Sequence, residues 1–79
     1  MMTSLPPLGT LIRIDDEQWS GFVNKYPHLG LVVQTEFSDA EAKVNRLNHL
    51  NRHKVALILF ADNTVELFNI EFLKHATQD

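Results

Sequence analysis

Hydrophobic and polar positions alternate most clearly between residues 55 and 68. The run Val55–Phe60 is apolar on both faces, which predicts a central strand buried on two sides. The run 64–68 alternates, with Val65 and Leu67 on its predicted buried side. Between the two runs, Asp62-Asn63 favours a turn, because aspartate bonds its own backbone and asparagine tolerates the left-handed conformation. The pattern predicts a hairpin that supplies much of the core.

Two earlier runs also have the period of β-strands. Residues 9–14 place Thr10, Ile12 and Ile14 on one face, opposite Leu11 and Arg13. Residues 29–37 alternate towards their end, with Gln34 and Glu36 predicted to point outward. The inward side chains of this second run are predicted to be Leu31, Val33, Thr35 and Phe37.

Helical spacing follows the second of these strands. Ser38 and Glu41 have the spacing of a capping box, in which each side chain bonds the other residue's backbone N–H. Ala40, Val44 and Leu47 continue at helical spacing, so an amphipathic helix is predicted over about 39–51. Asn69 is predicted to cap a last short turn at 70–75.

The segment 16–27 has two interpretations. Trp19, Phe22, Val23 and Tyr26 form one stripe of a helix, which Asp15 or Asp16 would cap. Gly21 weakens such a helix and Pro27 would end it. The alternative, a long aromatic loop with one helical turn, is the favoured interpretation.

Size and composition limit the classes of protein. The 79 residues predict one domain, 9–76, preceded by an extended tail at 1–8 that contains Pro6-Pro7 and followed by a polar end at 77–79. A chain of this length is marginally stable unless it oligomerises. Cysteine is absent, and the net charge of −3 gives no overall attraction to nucleic acid or an anionic membrane. Neither a membrane span nor a secretory signal is recognisable, so a cytoplasmic location is expected.

Three motifs together resemble the small SH3-like barrels encoded by many tailed phages. They are G-T-L-I-R-I at 9–14, Y-P-H-L-G-L-V-V at 26–33, and the run ending L-F-A-D-N-T-V-E-L-F at 68. The resemblance implies a mainly β, SH3-like barrel with one or two short helices. It implies no catalytic motif, and the family is functionally mixed. Asn63 replaces the usual glycine, and the 38–54 insert is longer than a simple hairpin connection.

Catalysis and metal binding have little support in the sequence. No nucleophile elbow, phosphate-binding glycine loop or H-E-x-x-H motif is present. His49 and His53 are four residues apart, but Arg46 and Arg52 would repel a cation beside them, and two ligands leave a tetrahedral site half empty. Solvated histidines are the expected interpretation, with no metal, no cofactor and no enzymatic activity.

Two groups of residues are candidates for binding. In an SH3-like barrel, an aromatic first loop carrying Trp19, Phe22 and Tyr26 could dock a protein. The favoured interpretation is that Trp19 and Phe22 fold under the barrel and plug the end of its core, because so small a chain needs its large aromatic residues there. A basic run at 43–54 could instead follow phosphates, bind an acidic protein partner or serve as an ordinary solvated face. Its cations are Lys43, Arg46, Arg52 and Lys54.

The sequence therefore favours a non-enzymatic accessory protein that docks on another protein, either a host protein that it modulates or a virion component. The alternative is a small nucleic-acid-binding domain that uses the basic 43–54 face. The partner's identity and the oligomeric state are left open, and a homo-oligomer is compatible with the small size.

Overall fold

The structure is a computed structural model that describes residues 2–76. The predicted polar end at 77–79 and Met1 of the predicted tail lie outside the described residues. The strands are β1 (Leu11–Ile14), β2 (Gly30–Gln34), β3 (Val55–Phe60), β4 (Val65–Asn69) and β5 (Leu73–His75). The helices are α1 (Ser20–Lys25) and α2 (Asp39–Val44), and a 3₁₀ turn at Ile70–Phe72 joins β4 to β5.

All five strands join in one antiparallel sheet with the order β4-β3-β2-β1-β5. The fold is mainly β, as the sequence predicted: one five-stranded antiparallel sheet with two short helices, the arrangement of a small β-barrel-like domain. The predicted last turn at 70–75 is divided between the 3₁₀ turn and β5. As predicted, the Asn69 side chain caps this turn by accepting a hydrogen bond from the Glu71 N–H at 3.0 Å.

The predicted hairpin is β3–β4, closed by a three-residue loop. Asn63 N–H donates to the Phe60 carbonyl at 2.9 Å, and Phe60 N–H donates to the Thr64 carbonyl at 2.8 Å. Asn63 has φ 70°, the left-handed conformation that ends this class of hairpin loop. Asp62 stabilises the loop by accepting a hydrogen bond from Thr64 N–H at 3.1 Å.

The core lies on one face of the sheet. Ile12 and Ile14 of β1 point into it, as do Ile58 and Phe60 of β3, and Ile12 and Ile58 are completely buried. The segment predicted as a tail lies on this core, because Met2 is buried and Leu5 is partly buried against it. Met2 N–H also donates to the Leu73 carbonyl at 3.1 Å, which joins the segment to β5.

The predicted inward face of β2 was wrong for two of its residues. Val32 is 1% exposed, whereas Val33 is 38% exposed and Leu31 is half-buried. A register irregularity lies between Val32 and Gln34, and the strand ends there. An extra residue in one strand shifts the phase of alternation. Phe37 follows the strand and is buried as predicted. Because of the irregularity, a strict alternation that starts from Phe37 assigns Leu31 and Val33 to the wrong face.

Helix α2 begins as predicted and ends seven residues early. Both hydrogen bonds of the Ser38–Glu41 capping box are present. Leu47 N–H donates to the Ala42 carbonyl at 2.8 Å and Arg46 N–H to the Lys43 carbonyl at 3.2 Å, with Arg46 at φ 58°. These bonds form a Schellman motif, which terminates a helix. The predicted helix at 45–51 is therefore wrong. Val44 is 81% exposed and Leu50 is 75% exposed, whereas Leu47 is half-buried.

The segment 16–27, for which the sequence left two interpretations, contains a six-residue helix, α1. This helix is shorter than the full helix of the first interpretation and longer than the single turn of the second. Its N-cap position is Trp19 and has no side-chain hydrogen bond, so neither Asp15 nor Asp16 caps the helix as that interpretation expected. Phe22, Val23 and Tyr26 face the core cluster, and this packing holds the helix in place.

Candidate protein-binding surface

The second face of the sheet, which points away from the core, is also apolar. Four strands align one residue each in a row across it: Leu11 pairs with Leu31, Leu31 with Leu59, and Leu59 with Val65. Leu11 and Val65 at the two ends of the row are 46% and 48% exposed, while the two residues between them are half-buried. This row crosses the sheet without a polar side chain.

A second row lies beside the first, formed by Val33, Leu57 and Leu67. Leu57 pairs with Leu67 in β4 and with Gln34 in β2, and Val33 is the exposed residue at the irregularity that precedes Gln34. We call the two rows together the outer apolar face; its members are Leu11, Leu31, Val33, Leu57, Leu59, Val65 and Leu67. Leu8 extends it, since it lines a shallow groove together with Val33.

The composition of this face is unusual for a solvated sheet. An antiparallel sheet with one face in water normally alternates apolar and polar side chains, so that the outer face is polar. From strand spacing and rise, the two rows cover roughly 300 Å² in projection. The largest exposed apolar patch on a typical monomer measures about 300–600 Å² and is often functional.

The sequence pattern of β3 and β4 includes residues of the outer apolar face, but the pattern alone does not show whether that face is exposed or buried. Apolar residues on both faces of β3 predicted burial on two sides, and Val65 was predicted to be buried. In the structure Ala56, Ile58 and Phe60 are buried, whereas Leu57 and Leu59 are half-buried on the outer face. The buried aromatic residue of β4 is Phe68, and Val65 is exposed, so that prediction was wrong.

The predicted protein-binding aromatics lie together at one end of the core. The Tyr26 and Phe60 rings stack with centroids 5.0 Å apart, and the Phe22 and Phe68 rings meet edge to face at 5.9 Å. Trp19 lies edge to face against Phe72 at 4.3 Å, and its Nε1–H donates to the Glu71 carbonyl at 3.3 Å. All three predicted side chains are partly buried and pack against the core cluster.

An open groove lies along the outside of α1. Its volume is about 350 Å³, and its lining includes Trp19, Gly21, Phe22 and Lys25. Trp19 and Phe22 therefore each have one side against the core and another against this groove. Tyr26 does not line it; Tyr26 borders a separate, smaller pocket that includes Arg13, His28 and Lys74.

The basic 43–54 face is divided by the structure. The Arg52 guanidinium donates from Nη1 to Asp39 Oδ1 at 2.6 Å and from Nε to the Phe37 carbonyl at 3.1 Å, and so ties the loop to the start of α2. Lys43, Arg46 and Lys54 are exposed, on a helix end and a turn rather than on one continuous helix. Arg52 thus has a structural role that its position in the sequence did not reveal.

His49 and His53 are both exposed and lie after the end of α2, so no helix aligns their side chains. Within residues 2–76, no cluster of three or more histidine and carboxylate side chains is arranged to hold a metal ion. The carboxylates with altered pKa values are instead bound to neighbouring side chains. Lys74 lowers the pKa of Asp16 by hydrogen bonding to it, and the pair raises the pKa of Lys74.

Comparison with protein-family models, with curated proteins and with solved structures found no match. In the described part of the chain, no helix has both the length and the apolar character needed to cross a membrane.

Proposed function

We propose that this protein is a non-enzymatic binding domain that docks on an apolar patch of another folded protein through its outer apolar face. The observation that supports the proposal is the unbroken row Leu11-Leu31-Leu59-Val65, with exposed side chains at both ends. Flat apolar contact area of this kind stabilises protein–protein interfaces at their centre.

The chemistry of the face favours a protein as the partner. All seven members are aliphatic, and a phosphate backbone requires cations for affinity. On the same side of the sheet, Arg13 lies two residues after Leu11 in β1 and pairs with Lys74, and Lys74 is already bound to Asp16. The small area is typical of a transient contact rather than a permanent one.

The resemblance to phage-encoded barrels makes a host protein or a virion protein the expected partner. The protein would then act by occupying a surface of that partner, as a modulator or as a structural accessory. The alternative proposal, nucleic-acid binding by the basic face, would depend on Lys43, Arg46 and Lys54, because Arg52 is engaged with Asp39 and Phe37.

Site-specific photo-cross-linking in the native host tests these proposals side by side. A photoreactive side chain would replace Leu11 on the outer apolar face, Trp19 at the groove, or Arg46 on the basic face. We expect one protein species to be captured from Leu11 and not from Trp19. Capture of DNA or RNA from Arg46, with no protein from Leu11, would contradict the proposal.

A further inference from the structure

The two edges of the sheet are protected very differently. At one edge, β5 has three residues, Met2 N–H donates to the Leu73 carbonyl at 3.1 Å, and Lys74 is ion-paired with Asp16. At the other edge, β4 has five residues and pairs only with β3 in the part of the chain that the structure describes. Exposed edge strands are templates for pairing with another strand.

The backbone groups that β4 offers at this edge follow from its register with β3. Phe60 N–H donates to the Thr64 carbonyl, so Thr64, Glu66 and Phe68 direct their backbone groups towards β3. The alternate residues Val65, Leu67 and Asn69 direct theirs away from the sheet. No backbone hydrogen bond from another element within residues 2–76 reaches them.

We propose that two copies of this chain associate by antiparallel pairing of β4 with β4 about a two-fold axis at Leu67. In this register Leu67 lies opposite Leu67 of the second copy, and Val65 lies opposite Asn69. All five residues of β4 then take part, and the outward backbone groups of Val65, Leu67 and Asn69 become paired.

Charge and backbone conformation disfavour the registers centred on the two residues before Leu67. A shift that centres the axis on Glu66 places two glutamates directly opposite each other, which is destabilising. A shift that centres it on Val65 brings Asn63 into the pairing, but Asn63 has the left-handed conformation at φ 70° and cannot extend a strand. The Leu67 register instead places Glu66 opposite Phe68.

A second copy fits this edge better than an unrelated strand for two reasons. The pairing joins the two outer apolar faces at Leu67, where each leucine covers the other. It also gives additional buried surface to a chain whose small size leaves it marginally stable alone. The inference does not depend on the proposed function, because the edge of β4 can pair with a second copy whether or not another protein binds the outer apolar face.

Amide hydrogen exchange on the intact chain tests the pairing without any substitution. We expect exchange at Val65 and Leu67 to slow at least about tenfold between roughly 10 µM and 1 mM protein, as sedimentation shows a dimer forming. Glu66 and Phe68, whose N–H groups face β3, serve as controls that are protected at both concentrations. A chain that stays monomeric throughout, or a dimer in which Val65 and Leu67 exchange at the monomer rate, would overturn the proposal.

A charge exchange at the two-fold axis tests the register. Leu67→Lys and Leu67→Glu should each be monomeric, because like charges would face each other. Mixing the two variants should restore a 1:1 dimer. A mixture that remains monomeric although both variants show the wild-type amide spectrum would contradict the Leu67 register.

Discussion

Gly30 of β2 and Ile58 of β3 are so close that a Cβ atom on Gly30 would lie 2.4 Å from Ile58 Cγ2. The same atom would lie 2.9 Å from Ile12 Cδ1 on the opposite side. Gly30 pairs with Ile12 and with Phe60 across the two neighbouring strands. The absence of a side chain at Gly30 therefore allows the isoleucines of β1 and β3 to meet over β2 and close the core.

Gly30→Ala is expected to lower the free energy of unfolding by about 1–3 kcal/mol, because an added methyl group overpacks this contact. Gly21→Ala in α1 is the matched control, since its Cβ would meet no atom within 4 Å. It should leave stability unchanged or raise it by up to about 1 kcal/mol, as alanine favours a helix. Urea denaturation measures the stability of both variants. If Gly30→Ala is as stable as Gly21→Ala, the neighbouring side chains move aside without cost and the expected overpacking is absent.

Substitutions on the two faces of β3 are expected to lower the free energy of unfolding by different amounts. Ile58→Ala should cost about 2–5 kcal/mol, because Ile58 is fully buried. Leu57→Ala should cost clearly less, since Leu57 is half-buried on the outer apolar face. Chemical denaturation measures both values. A larger loss for Leu57→Ala would mean that the outer face is a second core rather than an exposed surface.

The capping box is expected to stabilise α2 locally. Ser38→Ala removes the side-chain oxygen that accepts from Glu41 N–H at 3.1 Å, and should lower stability by about 1 kcal/mol. Ser20→Ala is the control, because Ser20 is the first residue of α1 and not its N-cap. Chemical shifts of Asp39–Val44 should move towards coil values in Ser38→Ala alone. Unchanged shifts would contradict a role for the cap.

Glu41 is expected to titrate below the ordinary glutamate range. Gln34 Nε2–H donates to its carboxylate at 2.9 Å, and this bond, with those from Ser38, lowers the Glu41 pKa. Because the folded pKa is depressed, the stabilisation is complete above the ordinary value of about 4.3 and is lost as pH falls through the folded pKa. Carboxyl carbon shifts measure the midpoint, which Gln34→Ala should raise. A wild-type midpoint at or above the ordinary value would contradict these hydrogen bonds.

The strands were predictable from sequence because their evidence is local. Alternation identified β1 and β4, the continuous apolar run identified β3, and the Ser38-to-Glu41 spacing identified the start of α2, whereas β5 lies in the segment predicted as the last turn. The end of α2 was not predictable in the same way. Arg46 takes a left-handed conformation that arginine adopts rarely, and no glycine or proline marks the end of the helix there.

The faces of the strands were harder to predict, because a pattern of apolar residues does not show which side will be covered. Leu57 and Ile58 are both large and aliphatic, yet only Ile58 faces the core. The irregularity beside Val33 reverses the phase of β2, and sequence gives no signal for it. The outer apolar face could therefore be recognised only from the register of four strands together.

If the outer apolar face binds a protein, a charge placed on that face should weaken the purified complex. Val33→Lys and Val44→Lys make the same change at two exposed valines, one on the face and one at the end of α2. Isothermal titration should show at least about tenfold weaker binding for Val33→Lys, because a charge enters the contact, and little change for Val44→Lys. Equal affinities for the two variants, with a tenfold loss in Trp19→Ala instead, would contradict the account and assign docking to the aromatic groove.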